Sequence, residues 1–179
     1  MQSSTATKAR ASKPEATEYL PYYARYISLV AAGDVLQSLA SQMRETQSVL
    51  RAIPASMSTH RYAPGKWSVN ELVGHVIDSE RIFAGRALRF ARGDSTPVPG
   101  FEQDDYVANA SFDAYPLREL AAELDVVRQS TLQLFLHLQE DAWLRRGTAN
   151  GAEVSVRALA YIIAGHELHH RAILQERYL

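Results

Sequence analysis

Two histidines that lie four residues apart carry the most specific chemical signal in this sequence. His166 and His170 fall within Gly165–Arg171, inside an apolar-rich run over residues 154–174. Residues four apart on a helix share one face, so both imidazoles can reach a single metal ion, whereas His169 points about 100° away from His170. A core-facing pair is also compatible with buried imidazoles that hydrogen-bond to neighbours. A third ligand elsewhere in the sequence would decide between these two interpretations, because an open zinc-type site usually has three protein ligands.

The best candidate for the third ligand is His75, which lies in a second apolar stretch, Leu72–Ile77. Ser68 and Glu71 have the spacing of a capping box, so a helix is predicted to start at Val69. His75 then lies on the apolar face of that helix. Taken alone, His75 is also compatible with an ordinary core histidine.

The composition excludes several other kinds of site and partner. The 179-residue chain has no cysteine, so disulfides, thiolate zinc sites and cysteine nucleophiles are excluded. The formal net charge of −1 gives no electrostatic reason to expect nucleic acid or an anionic membrane as a partner. No apolar run reaches the ~20 residues needed to cross a bilayer. Residues 1–18 lack the apolar segment of a signal peptide, so we expect a disordered tail there and a cytoplasmic location.

The remaining residues, 19–179, are predicted to form one all-α domain. Apolar residues recur at helical spacing in four stretches. These stretches predict helices between Asp34 and Pro54, from Val69 to about Arg92, from about Leu117 to Trp143, and from about Val154 to near Tyr178. An irregular stretch, Asp94–Tyr115, forms a long loop between the second and third helices. We therefore expect a four-helix bundle, in which facing helices can build a metal site from inward-pointing side chains.

Four other residues with chemical potential stand close to His75 in the sequence. Asp78 can accept the second imidazole N–H of a ligand or be a surface carboxylate. Glu80 with Arg81 is typical of a surface ion pair. Trp67 is expected to be a packing anchor at the helix start more often than a substrate platform.

The segment His166–His170 also matches the H-E-x-x-H pattern of zinc peptidases, with Glu167 as the general base. The longer form of that motif needs a glycine where Ile173 stands and a further histidine downstream, and neither is present. The peptidase alternative requires Glu167 to point at a metal-bound water. Otherwise Glu167 is a solvated carboxylate or a carboxylate that hydrogen-bonds to a metal ligand.

Two motifs resemble those of the DinB-like, YfiT-related superfamily. The first is Arg61–Val69 followed by Leu72–Arg81, and the second is Gly165–His170. The resemblance covers nearly the whole chain after the first 18 residues. It implies a bundle of the up-down-down-up kind, a homodimer, and a divalent metal held by His75, His166 and His170. Three neutral imidazoles suit zinc, nickel, copper or iron, and we expect zinc or nickel.

The resemblance also implies the kinds of function to expect. Relatives include thiol-dependent transferases, such as bacillithiol transferases, and the mycothiol-dependent maleylpyruvate isomerase. We therefore expect a metal-dependent transferase or hydrolase-type enzyme that acts on a small molecule, with a low-molecular-weight thiol as a possible cosubstrate. The alternative is a non-catalytic metal-binding module of a stress response. A roomy pocket with polar groups above the metal favours the enzyme, whereas a closed, dry site favours the module.

Overall fold

The computed structural model of the protein describes residues 6–179, and α-helices make up most of this range. The helices are α1 Ala6–Ala11, α2 Ala24–Ile27, α3 Val35–Ala52, α4 Val69–Ala91, α5 Gln103–Ala110, α6 Leu117–Leu136 and α7 Val156–Arg177. Two strands, β1 Arg146–Ala149 and β2 Ala152–Ser155, pair in antiparallel fashion. Short 3₁₀ turns occupy Ala16–Glu18, Pro21–Tyr23, Ala55–Met57, Phe112–Ala114 and Glu140–Leu144.

The four long helices α3, α4, α6 and α7 form a bundle. Both α3 and α4 pack against α6 and α7, so α3 and α4 lie on one diagonal of the bundle. The directions of the helices follow from two contacts for each pair. Along α3 and α7 the contacts Gly33–Tyr161 and Thr46–Glu167 run in the same order, so these helices are parallel. The contacts run in opposite order for α3 and α6 (Leu39–Arg128, Gln47–Ala121) and for α4 and α7 (Trp67–Tyr178, His75–His166), so these pairs are antiparallel. Helices α3 and α7 therefore run one way and α4 and α6 the other, which confirms the predicted up-down-down-up bundle.

Helix α7 is the central helix of the bundle and carries two of the three histidines. Every residue from Val156 to Glu167 is buried, because α2, α3 and α4 all pack against this helix. A helix that is apolar on all sides belongs in the interior of a domain. Within the described range, no helix is both long enough and apolar enough to cross a membrane.

Capping side chains mark the starts of α3, α4 and α7, at or near the predicted positions. The carboxylate of Asp34 accepts from the Leu36 amide at 2.9 Å. Ser68 and Glu71 form the predicted capping box, with distances of 3.0 and 2.8 Å for the two reciprocal bonds. Ser155 caps α7 through the same kind of bond.

The end of α6 differs from its prediction. The helix stops at Leu136, well before Trp143, and a 3₁₀ turn over Glu140–Leu144 folds the chain back. This return buries Trp143 and stacks its ring on Phe135, with 5.4 Å between the ring centroids. Burial of the indole explains why the helical apolar pattern continues past the end of the helix.

A β-hairpin joins α6 to α7, although the sequence predicts an all-α domain. Asn150 and Gly151 have φ angles of 53° and 75°, as a two-residue hairpin turn requires. Val98 hydrogen-bonds to Thr148 and Asn150, at 2.9 and 3.0 Å. The predicted loop Asp94–Tyr115 is therefore anchored on the hairpin, and it also contains α5.

The structure corrects the prediction of a disordered tail for residues 6–18, while residues 1–5 lie outside the described range. Glu18 is only 4% exposed. It accepts from the Ser155 hydroxyl at 2.6 Å and forms an ion pair with Arg157 of α7. Arg157 also donates to the Ser12 hydroxyl at 2.8 Å. The local composition could not reveal this order, because the partners come from the far end of the chain.

We expect Glu18→Gln to lower the free energy of unfolding at pH 7 by about 1.5–3 kcal/mol, the range for hydrogen bonds to charged groups. Burial raises the pKa of Glu18, but bonds from Arg157 and Ser155 outweigh it and hold that pKa below the ordinary value of 4.5. The pair therefore contributes its full stability above that value and loses it as the pH falls through the folded-state pKa.

Urea unfolding at a series of pH values measures this effect. The difference between wild type and Glu18→Gln should shrink as the pH falls below about 4.5, because protonation of the wild-type carboxyl removes the same charge. Glu176→Gln, an exposed change on α7, is the control and should leave the stability nearly unchanged. A difference that is constant from pH 7 to pH 3 would contradict the prediction.

Candidate metal centre

The three histidines predicted as ligands meet at one place inside the bundle. The Nε2 atom of His166 lies 3.1 Å from that of His75 and 3.1 Å from that of His170. All three side chains are buried, and their ligand atoms lie within 4.8 Å of one another. The antiparallel packing of α4 and α7 thus brings His75 to the pair that one face of α7 presents.

The donor set fits a divalent metal ion. Imidazole nitrogens that share a metal at about 2.1 Å are about 3.0–3.4 Å apart in tetrahedral or octahedral arrangements. Burial lowers the pKa of His75 to about 4 and lowers the pKa values of His166 and His170 well below 6.5. All three imidazoles are therefore neutral at pH 7, which is the form that binds metal.

His75 is supported by Ser79, one helical turn later, and by Trp67, which precedes the start of α4. The Ser79 hydroxyl lies 3.5 Å from His75 Nδ1, where it can hold that nitrogen as the N–H and leave Nε2 free. The Trp67 ring packs on the imidazole, with 4.6 Å between the ring centroids. Ser79 thus takes the place proposed for Asp78, which instead pairs with Arg81 at 3.6 Å.

His166 is held from the other side by the N-terminal segment. A Cβ atom at Gly165 would lie 2.1 Å from the carbonyl oxygen of Tyr26, so only glycine allows α2 to pack this closely on α7. The Tyr26 ring then meets His166 edge-on, at 5.2 Å between the ring centroids. His169 also contacts Tyr26 and lies outside the cluster of three, in agreement with the prediction.

Glu167 is not directed at the cluster of histidines. Its two oxygens accept from Thr46 Oγ1 on α3 at 2.5 Å and from Arg128 Nη1 on α6 at 2.7 Å. Neither oxygen is free to act as a general base, so the requirement of the peptidase alternative is not met. Glu167 is also not solvated, because it is only 2% exposed.

Arg128 joins two buried carboxylates in what we call the Glu80–Arg128–Glu167 network. Its Nε and Nη2 atoms donate to the two oxygens of Glu80 at 2.8 and 2.7 Å. Its Nη1 atom donates to Glu167 and also to the Leu39 carbonyl at 2.9 Å. Burial lowers the pKa of Arg128, but the two carboxylates outweigh it and raise that pKa above its ordinary value. The guanidinium therefore stays charged.

The sequence prediction missed this network. Glu80 is not in a surface pair with Arg81, because it is 1% exposed and pairs with Arg128. Arg81 lies at the surface and pairs with Asp78 and Glu123. A signal was present: Arg128 stands four residues after Leu124 on the apolar stripe of α6, a position at which a charge needs a partner.

A pocket of about 470 Å³ opens over the site and includes His75 and His166 in its wall. Its other walls come from the N-terminal segment, from α4, and from the loop that the hairpin anchors. The lining is aromatic (Tyr22, Tyr23, Tyr26, Phe83, Phe101) with Leu20 and polar groups (Ser79, Glu102, Gln103, Asp104, Asn150). A larger groove of about 560 Å³ lies between α4 and α6 and contains none of the three histidines.

Comparison with known proteins identifies relatives of the fold. A family model described as the DinB superfamily matches residues 38–174. YfiT from Bacillus subtilis, described as a probable metal-dependent hydrolase with an unusual four-helix bundle topology, is 16% identical with a TM-score of 0.69. The match covers 92% of this chain and 90% of YfiT. A search of curated proteins finds no significant match.

Two further solved structures resemble the chain. The DinB-like protein YjoA from Bacillus subtilis is 22% identical with a TM-score of 0.57, and the match covers 79% of this chain and 86% of YjoA. A mycothiol-dependent maleylpyruvate isomerase is 17% identical with a TM-score of 0.65 over 78% of this chain. The match covers only 59% of the isomerase. At these identities the similarity to solved structures establishes the fold alone.

Proposed function

The chain belongs to the DinB superfamily, and on that basis we propose that it is a metal-dependent enzyme that acts on small molecules. The proposed ligands of the divalent metal are His75, His166 and His170, and the proposed metal is zinc or nickel. One observation carries the proposal: three neutral imidazoles converge beside a pocket large enough for a small substrate.

The chain supplies the binding and orienting groups for such a reaction. A divalent metal at the three imidazoles would polarise a carbonyl or lower the pKa of a bound water or thiol. The aromatic rings of the pocket would hold the apolar part of a substrate and exclude water. Ser79 and Asn150 line the same pocket and offer hydrogen bonds that would orient the substrate.

We propose that the reaction transfers a group from a small electrophile to water or to a low-molecular-weight thiol. The descriptions of YfiT as a probable metal-dependent hydrolase and of the isomerase as mycothiol-dependent support these two acceptors. The chain has no cysteine, so any thiol must come from a cosubstrate. The homodimer implied by the resemblance is part of the proposal.

A non-catalytic metal-binding module is the second candidate. That function needs a closed site with no room for a substrate. The pocket over His75 and His166 favours the enzyme instead, because a module has no use for an open aromatic cavity beside its metal.

A two-armed activity screen tests the proposed function. Zinc-loaded and nickel-loaded protein is incubated with esters, amides and lactones in one arm, and with electrophiles plus small thiols in the other. We expect turnover that a chelator abolishes and that His75→Ala lacks. A fully metal-loaded protein that turns over nothing in either arm would favour the module.

A further inference from the structure

The Glu80–Arg128–Glu167 network carries one more negative charge than positive charge in the interior of the bundle. Each carboxylate accepts hydrogen bonds on both of its oxygens, the arrangement that suits the ionised form. The three side chains are at most 2% exposed, so water does not screen the excess charge.

The other cations near the network do not balance this excess. Arg171, one residue after His170, already pairs with Glu45 of α3 at 2.8 Å. Arg25 stacks on Tyr22 and Tyr26 at the surface, where solvent screens its charge. The three histidines add no positive charge, because imidazole binds a metal ion in its neutral form. None of these described side chains offsets the excess negative charge, and a bound cation would do so.

The network borders the proposed metal site on both helices that supply its ligands. Glu167 directly follows His166 on α7, and it lines a small void together with His170. Glu80 directly follows Ser79, whose hydroxyl contacts His75. A charge in this interior acts strongly on a cation nearby, because the effective dielectric constant is low.

We infer that Glu167 strengthens the binding of the divalent metal through its charge, without touching the ion. This inference rests on the proposed function, since it assumes that the three imidazoles bind metal. Three neutral ligands leave both positive charges of the ion unbalanced, and the excess charge of the network offsets part of them. Glu167 is thus a supporting residue of the site and not its general base.

The variant Glu167→Gln separates charge from structure, because the amide can keep both hydrogen bonds. Its oxygen can accept from Arg128, and its NH₂ group can donate to the Thr46 hydroxyl, which accepts as well as donates. The variant leaves the remaining pair Glu80–Arg128 neutral. Metal-free Glu167→Gln should therefore unfold at a temperature no lower than wild type, while its metal affinity falls.

Zinc affinity from chelator competition and thermal unfolding of the metal-free protein test the inference together. We expect the zinc Kd of Glu167→Gln to rise about tenfold or more, the range for residues that support a metal ligand. Glu176→Gln removes the same charge from the exposed end of α7 and should stay within about twofold of wild type. Glu80→Gln removes the same charge from α4 and should also weaken zinc binding.

Three results would overturn the inference. The first is a zinc Kd of folded Glu167→Gln within about twofold of wild type, which shows that the charge does not act on the metal. If Glu167→Gln does not fold, the same result for folded Glu80→Gln overturns the inference. A metal-free Glu167→Gln with a much lower unfolding temperature shows a structural role instead. Wild-type protein that binds neither zinc nor nickel would contradict the proposed function, and the inference that rests on it would fail as well.

Discussion

His75→Ala is expected to reduce the zinc bound per chain from about one to less than about a tenth in the presence of a competing chelator. The variant leaves only His166 and His170, and two imidazoles cannot complete an open three-ligand site. Substitution of a residue that hydrogen-bonds to a metal ligand weakens metal binding by about 10–100-fold, so loss of the ligand itself should weaken it at least as much. Elemental analysis of the purified protein, with a chelator titration, measures the effect.

His169→Ala is the matched control for this experiment. His169 lies on the same helix as His166 and His170, but its imidazole is not part of the cluster of three histidines. We expect it to bind zinc as the wild-type protein does. If His75→Ala kept full zinc content at unchanged affinity, the proposed set of three ligands would be wrong.

Arg128→Met is expected to have the largest effect on stability, a loss of about 3–5 kcal/mol in the free energy of unfolding. The variant leaves Glu80 and Glu167 buried without a cation, and methionine cannot donate to either carboxylate or to the Leu39 carbonyl. For a chain of this length, the loss corresponds to a fall of roughly 10 °C in Tm. Thermal and urea unfolding in the presence of a chelator measure it.

Arg118→Ala provides the comparison on the same helix. Arg118 is 81% exposed on its side chain and pairs only loosely with Glu119, at 3.6 Å. Exposed pairs of this kind contribute about 0–1 kcal/mol, so this variant should stay close to wild type. Equal stability of Arg128→Met and Arg118→Ala would show that the buried network contributes little to the fold.

The parts of the site that depend on local spacing could be predicted from the sequence. His166 and His170 share a face because they stand four apart on α7. The Ser68–Glu71 capping box fixes where α4 starts, and His75 then lies on its apolar face. The starts of α3 and α4 follow from the capping residues Asp34 and Ser68. The hydrophobic effect predicts that the apolar faces meet in a bundle, whereas the family resemblance implied the up-down-down-up arrangement of its helices.

The parts that depend on distant partners could not be predicted in this way. Glu80 next to Arg81 has the pattern of a surface pair, and only the packing of α4 against α6 directs it to Arg128. Glu18 lies in a polar segment, and its order depends on Arg157, far away in the chain. In each case two charged residues that are far apart in the sequence form an ion pair. No local sequence pattern indicates such a pair.

The position of the pocket wall along the chain has a consequence for how this protein can diverge. Leu20, Tyr22, Tyr23 and Tyr26 precede the region that the family model matches, residues 38–174, whereas all three histidines lie inside it. Selection can therefore reshape the entrance for a new substrate through a few N-terminal substitutions while the ligands stay the same. Tyr26 limits such changes, because its backbone carbonyl packs against Gly165, the residue before His166.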